Sequence, residues 1–487
     1  MTKNPKKDGA FLRWAAGRIE SEAPGDADAP VFGDAYATAA ALTAPERHLV
    51  HAFPTRGAKP GELRRALGRL LDGHLANGRS PRFVNQLFSG VGDEAMAGAL
   101  LGLFANNTMS TREVAPLPTE MERAVVSWLL RLLPWDESTA GGTATPGGSF
   151  SNYLGVYLAR KAAVERHGEA AVPLLAFFTS KAGHYSVPKG ADLVGVPLRG
   201  LFEVATDDDD RMRPDALVDA IRTARSRGLV PFLVNATLGT TVAGALDPVL
   251  RIAKVAQQEG LWLHVDAAWG GFGLLGRGSA RFRTGLEHAD SITWDAHKHG
   301  GAPVASSFLL VRDRTSLEEL RPPTGGGYLF HKKEAPHEES DLGLTSLSCG
   351  KSFITLSSWL AWKSLGAAGW RRRVAASARL AKRFRDGIAR SKRWELALEP
   401  DTWLVCFRPR VPAVTSRVAR DVVSRELRRR INADGRWMLN LCPMPAGYVF
   451  RAVFTNPLMT NAHVDELLRH LETCAAADGA GSLREIR

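Results

Sequence analysis

Residues 261–300 read LWLHVDAAWGGFGLLGRGSARFRTGLEHADSITWDAHKHG. Two short apolar runs, LWLHVDAA (261–268) and SITWD (291–295), each bring a charged group to their end. The first brings Asp266. The second brings Asp295 and then Lys298, flanked by His297 and His299. Apolar runs of this length, bounded by glycines and polar residues, read as strands buried on both faces of a parallel sheet.

The same pattern continues outward. PLLAFFTS (173–180), PFLVNATLG (231–239) and SSFLLVR (306–312) are further strand-like runs. Helical stretches such as RPDALVDAIRTARSRG (213–228) and DPVLRIAKVAQQEG (247–260) lie between them. Strands alternating with helices predict an α/β fold with a doubly wound, mostly parallel central sheet. Such sheets bind ligands beyond the carboxyl ends of their strands. His184, Thr237, Asp266 and Lys298 all fall at or just after the ends of apolar runs. Upstream, GGTATPGGSFSNYLGVYLARKAAVER (141–166) is a glycine-rich turn opening into a helix. Free N–H groups and the dipole at such a start bind phosphate, with Gly147, Gly148, Ser149 and Ser151 as candidates.

The flanks are helical. Residues 60–103 carry helical periodicity, broken by RSPRFVNQLFSG (79–90), where Asn85 and Gln86 either face a substrate or pack within a loop. LPTEMERAVVSWLLRLLP (117–134) predicts a helix between two prolines. RPPTGGGYLFHKKEAPHEESDLG (321–343) is long, polar and glycine-hinged, as an active-site loop is, and carries Tyr328. The tail returns to helices, with GYVFRAVFT (447–455) as a strand and a helix after Asn461. The expected organisation is an N-terminal arm and helical segment (1–110), a large α/β domain (111–365) and a small C-terminal α+β domain (366–487).

Composition narrows the function. No apolar run reaches the length of a membrane span, and the first 30 residues, a polar arm, lack a signal-peptide core. Cys349, Cys406, Cys442 and Cys474 are scattered, which argues against disulfides or zinc and for a reducing cytoplasm. The formal charge is +12, from 63 Lys and Arg against 51 Asp and Glu. Much of the excess lies in 370–393 and 424–430, read as solvated faces of amphipathic helices rather than a nucleic-acid surface. The acidic run Asp207–Asp210 reads as a solvated loop rather than a metal site.

An acid at one strand end, a lysine past the next and a phosphate-binding helix start are the parts that pyridoxal phosphate requires. A carboxylate keeps the ring nitrogen protonated, a lysine tethers the cofactor, and backbone amides grip the phosphate. Asp266 and Lys298 suit the first two roles, and His297 could contact the phosphate or shuttle a proton. Taken singly, each also reads as an ordinary strand cap or loop residue.

The motifs GGTATPGGSFSNY, FFTSKAGHYSVPKGA, VNATLGTTVAGALDP, LWLHVDAAWGG, SITWDAHK and GGYLF resemble, in order and spacing, the group II pyridoxal phosphate-dependent amino-acid decarboxylases. SPRFVNQLFSG, APLPTEMER, the SCGK segment (348–351) and YVFRAVFTNP (448–457) resemble its acidic branch, the glutamate, aspartate and cysteine-sulfinate decarboxylases. The resemblance spans roughly residues 60–475. It implies the aspartate-aminotransferase fold, pyridoxal 5'-phosphate fold type I, in an obligate homodimer with shared active sites. It also implies α-decarboxylation of an amino acid to an amine. By it Lys298 is the Schiff-base lysine and Asp266 the partner of the ring nitrogen. His184 stacks on the ring, Ala268 packs beneath it and Thr237 joins its hydrogen bonds. Gly148, Ser149 and His297 hold the phosphate with Asp295 nearby. Tyr328 protonates the reacting carbon, Arg451 holds the substrate α-carboxylate and Gln86 lies near its side chain.

Four positions depart from the family pattern. Lys351 replaces an arginine, Ile354 an aspartate, His299 an apolar residue and Arg112 a tyrosine. They put the substrate in question, so an aromatic or other specialised amino acid remains an alternative. Decarboxylation coupled to oxidative deamination, giving an aldehyde, is a second alternative that Tyr328 argues against. A non-catalytic scaffold would not need Lys298, Asp266, His184 and Tyr328.

Overall fold

The computed structural model describes residues 10–21 and 56–476, apart from 75, 89, 323, 325, 331–340, 413 and 415, and also 31, 47, 48 and 50. The helices are α1 (Ala10–Ser21), α2 (Pro60–His74), α3 (Asp93–Ala105), α4 (Pro116–Leu130), α5 (Gly148–His167), α6 (Ser186–Leu193), α7 (Pro214–Ser226), α8 (Val249–Glu259), α9 (Thr355–Arg390), α10 (Arg417–Ile431) and α11 (Asn461–Ala476). Strands β1 (Gly141–Thr145), β2 (Leu175–Ser180), β3 (Leu201–Val204), β4 (Val230–Thr237), β5 (Trp262–Asp266), β6 (Ser291–Asp295) and β7 (Ser307–Val311) form one sheet. Strands β8 (Trp394–Leu396), β9 (Leu404–Pro409), β10 (Asn440–Met444) and β11 (Gly447–Val453) form a second, fully antiparallel one.

The large sheet runs β1-β7-β6-β5-β4-β2-β3, and β3, β2, β4, β5 and β6 are parallel. Its central strands are largely apolar because helices cover both faces. Residues such as Phe178, Val234, Val265, Ile292 and Leu310 are essentially inaccessible. The run at 306–312, expected to be parallel, is antiparallel to β6 and to β1. A strand of five residues carries no periodic record of direction. Here the connection from β6 is too short for a helical crossover, which a parallel pairing requires.

That reversal matters for function. Two antiparallel pairings in succession turn β1 back to the direction of β6. The carboxyl end of β1, and the glycine turn after it, therefore open at the same edge as the ends of β4, β5 and β6. The sequence showed this stretch only as a turn, because GGTAT lacks the apolar content of a strand. The C-terminal sheet keeps its own core of Phe384, Trp394, Phe407, Phe450 and Leu467. Helix α9 links the two sheets and is broken at Gly366, whose φ of 56° suits glycine. The expected loop at 321–343 starts with a 3₁₀ turn at Gly326–Tyr328, and its residues 331–340 lie outside the described residues.

The chain that follows this loop is fastened by Lys351. Its Nζ lies 2.8 Å from Glu122 Oε1 and 2.9 Å from both Thr143 Oγ1 and the Ala144 carbonyl. All three ammonium hydrogens are used, so lysine serves as a buried anchor where the family pattern has arginine. Glu122 also accepts the Ala144 N–H at 3.0 Å. Truncating Lys351 leaves the Glu122 carboxylate buried without its counter-ion. Lys351→Ala is expected to lose about 3–5 kcal/mol of stability in urea unfolding. A loss below about 1 kcal/mol would show that the pair is not an anchor.

Candidate active site

Strand register gathers the site. Thr237 pairs with Asp266 across β4 and β5, and Asp266 pairs with Thr293 across β5 and β6. Asp295 and Thr145 both pair with Ser307, from opposite sides of β7. Four strand ends thus place Thr237, Asp266, Asp295 and the 146–148 turn along one edge. A cavity of about 330 Å³ lined by Phe232, Gly260 and Trp262 lies among the opposite strand ends and holds none of these groups.

Asp266 is buried, and both of its oxygens are held. Oδ1 accepts the Ala268 N–H at 3.1 Å and Oδ2 accepts Asn152 Nδ2 at 2.8 Å. His184, half-buried after β2, has its pKa lowered by burial and by the Lys298 charge, against the pull of Asp266 and Asp295. That mutual influence shows that the four ionisable groups share one neighbourhood. Thr237 is buried, and its hydroxyl has no hydrogen-bond partner among the described residues.

Lys298 Nζ lies 3.2 Å from Asp295 Oδ2, and His297 Nε2 lies 3.7 Å from the same oxygen. Ser307 Oγ donates to Asp295 Oδ1 at 2.5 Å. Helix α5 begins directly above this carboxylate. A Cβ on Gly148 would meet Asp295 Oδ2 at 2.5 Å, so only glycine fits. Gly147 has a φ of 116°, and no side chain caps the helix. The N-terminal amides of α5 at Gly148 and Ser149 are thereby left for a ligand.

Arg451, on β11, is buried beside this edge. Its Nη1 donates to the Thr241 carbonyl, Nη2 donates to the Asn85 carbonyl at 2.7 Å, and Nε has no partner among the described residues. Asn85 is buried and its Oδ1 also lacks one, whereas Gln86 is exposed. Tyr328 is 75% exposed, and no described hydrogen bond joins it to Lys298, Asp266 or His184. Arg112 pairs with Glu120 away from these groups. Asn152 contacts the acid, Ser186 contacts the histidine and His264 contacts Asn152, and all three escaped the sequence reading. One signal was present: His264 and Asp266 alternate at i, i+2 and share a strand face.

The donor set fits pyridoxal phosphate. An uncapped helix start suits its phosphate, the Lys298 amine its aldehyde, a doubly held carboxylate its ring nitrogen and an unpartnered buried hydroxyl its ring substituents. Comparison with known proteins agrees. Residues 46–410 match the family model described as the pyridoxal-dependent decarboxylase conserved domain. The chain is 37% identical over 405 residues to the cysteine sulfinic acid decarboxylase of Rattus norvegicus, covering 80% of this chain and 81% of that one. It is 33% identical over 405 residues to the acidic amino acid decarboxylase GADL1 of Mus musculus, covering 81% of this chain and 73% of that one. The crystal structure of mouse CSAD superposes with a TM-score of 0.87 at 33% identity, covering 97% of this chain and 99% of that one.

The departure closest to Lys298 lies outside the crevice. His299 is fully buried, 4.1 Å from the Trp403 ring centroid, with Nε2 3.1 Å from Ser377 Oγ. Burial, and then the charge of Arg373, push its pKa well below the usual value. The unfolded imidazole titrates near 6.5, so below that pH the unfolded state takes up a proton that the folded state refuses. This stability is present above pH 6.5 and lost as pH falls. Between pH 7.5 and 5.0, His299→Leu is expected to lose about 2 kcal/mol less than the parent protein in urea titrations. Equal losses would mean that His299 is protonated in the fold.

Proposed function

The chain belongs to the pyridoxal-dependent decarboxylase family, and from that premise we propose that it removes the α-carboxyl group of an acidic L-amino acid as carbon dioxide. Aspartate, glutamate and cysteine sulfinate are the substrates in view. The names of the relatives support the acidic class, and the buried Arg451 supplies a cation at the crevice. The observation that carries the reading is the shared strand edge, with Lys298, Asp266 and Thr237 beneath the uncapped start of α5.

Pyridoxal phosphate, when bound, supplies the sink for the electron pair that the departing carbon dioxide leaves behind. The chain does the rest. The Gly148 and Ser149 amides, with His297, would hold the cofactor phosphate. Lys298 would tether the cofactor through its side-chain amine. Asp266 keeps the ring nitrogen protonated. His184 and Ala268 would pack against the ring, and the unpartnered Thr237 hydroxyl would be free to donate to it. Arg451, with both Nη groups already committed to carbonyls, has Nε left for the substrate carboxylate. Asn85 and Gln86 lie on the side of the substrate side chain. Tyr328 gives its phenolic proton to the α-carbon, so the product is the amine rather than an aldehyde.

A homodimer is supported by an apolar face that no described residue covers. Helix α3 exposes Leu100, Leu101, Leu103 and Phe104, Phe104 at 82%, and Val114 and Leu117 extend the patch. Patches of this kind mark association surfaces. A second copy would cover it, and Tyr328, exposed and without a described hydrogen bond to its own Lys298, would then serve the neighbouring site. The four cysteines are free, which supports a reducing compartment such as the cytoplasm. No described helix is long and apolar enough to cross a membrane.

Lys298→Ala is expected to abolish both the visible absorption of the holoenzyme and carbon dioxide release from labelled Asp, Glu and cysteine sulfinate. Retention of both would remove Lys298 from its role. Release from an aromatic amino acid alone would sink the acidic assignment, and peroxide with aldehyde would replace the amine product. Phe104→Glu is expected to give monomers in light scattering and at least a tenfold loss of activity. An active monomer would contradict the shared site.

A further inference from the structure

We propose that Asn152 is a positioning residue whose single side-chain amide fixes both the carboxylate of Asp266 and the tautomer of His184. The inference deepens the cofactor reading above and rests on it. It comes from the direction of a buried hydrogen-bond chain. Trp262 Nε1 can only donate, and it donates to Ser291 Oγ at 2.8 Å. The Ser291 hydroxyl proton then goes to His264 Nδ1, 2.7 Å away. His264 is fully buried, and burial pushes its pKa down to about 4, so its ring is neutral. With Nδ1 accepting, the one ring proton sits on Nε2.

Nε2 lies 3.0 Å from Asn152 Oδ1, with the Thr293 hydroxyl farther off at 3.3 Å. The amide oxygen of Asn152 therefore faces His264, and both amide hydrogens face the other way. One goes to Asp266 Oδ2 and one to Ser186 Oγ, each at 2.8 Å. Ser186 accepts from Asn152, so its own proton goes to His184 Nδ1 at 2.8 Å. An independent contact gives the same answer. The Ser186 backbone N–H, which can only donate, also reaches His184 Nδ1 at 3.2 Å. Two donors converge on Nδ1, so the His184 proton sits on Nε2.

From Trp262 to His184 the donors and acceptors match in one direction. Close packing holds the chain in place: a Cβ on Gly155 of α5 would meet the His264 ring at 2.6 Å. Asn152, Ser186 and Ser291 are all buried, so a missing link would leave a dry polar atom unpaired. Asn152 thus orients the acid and, through Ser186 and together with the Ser186 backbone N–H, sets which nitrogen of His184 can donate.

The test compares the reconstituted enzyme with two compounds, pyridoxal phosphate and its deaza analogue carrying C–H in place of the ring nitrogen. Asn152→Leu keeps the volume and removes the amide. It is expected to weaken pyridoxal phosphate about ten- to a hundredfold, the scale of a hydrogen bond to a charged group, and the analogue less than about threefold. Equal weakening of both would reduce Asn152 to a packing residue and overturn the proposal. The second measurement needs no variant: nitrogen-15 spectra of the histidine-labelled apoprotein should show His184 and His264 protonated at Nε2. Protonation of either at Nδ1 overturns the chain. If the parent protein binds neither compound, the cofactor reading fails, and the spectra still decide the direction of the chain.

Discussion

A carboxylate buried at the end of a central strand has to be matched by donors, and the site is built around meeting that demand for Asp266. An unmatched charge in this position would destabilise the fold by several kcal/mol. The sheet brings the acid to the edge, and α5 crosses above it with Asn152 while the chain after β5 turns back with the Ala268 N–H. The helix that supplies Asn152 is the same helix whose uncapped start opens over Asp295. One packing event, α5 on β5 and β6, therefore sets the acid and the uncapped helix start, the proposed phosphate grip, together. Its closeness depends on small residues, Gly148 over Asp295 and Gly155 over His264.

Much of this was legible in the sequence because the parallel strands write their ends plainly. Asp266 and Lys298 were found as charged residues terminating apolar runs, and β2, β4, β5 and β6 lie within a residue or two of their expected bounds. The direction of β7 and the existence of β1 were not legible. Direction depends on what the connection can span, and GGTAT carries only glycine, threonine and alanine where a strand pattern needs bulk. The roles of Asn152, Ser186 and His264 were hidden for another reason. Each is an ordinary polar residue whose importance appears only when three separate elements meet. Asn85 and Gln86 show the converse: adjacent amides that sequence could not separate are one buried against Arg451 and one exposed.

The acidic stretch at 207–210 illustrates how the sheet edge is backed. Asp207 closes its own turn, accepting the N–H groups of Asp209 and Arg211, and Arg211 pairs bidentately with Asp401. Asp247, fully buried behind β4, accepts the Thr237 N–H at 2.8 Å and the Met212 N–H at 2.6 Å. Burial, with Asp210 nearby, raises its pKa to about 7. The carboxyl group thus holds the Thr237 backbone from behind, which leaves the threonine hydroxyl to the crevice. The acids of this region serve the edge as turn closers and backbone clamps.

The departures from the family pattern divide by the same logic of satisfied and unsatisfied groups. Lys351 has every ammonium hydrogen engaged, and Arg112 is committed to Glu120. His299 is packed against Trp403 and Ser377 beneath the lysine loop, and Ile354 joins the core at the start of α9. Among the described residues Lys351, Arg112 and Ile354 leave no free polar group for the crevice, and the unpartnered Nδ1 of His299 is fully buried between Trp403 and Ser377 rather than open to it. Arg451 leaves one through its unpartnered Nε, and Thr237 and Asn85 do so through Oγ1 and Oδ1. A buried polar atom left unpaired at a strand edge is open to a ligand or to water. Substrate selection is therefore to be sought at Arg451 and Asn85, and in what a second subunit adds across the exposed face of α3, rather than at the positions where the sequence diverges.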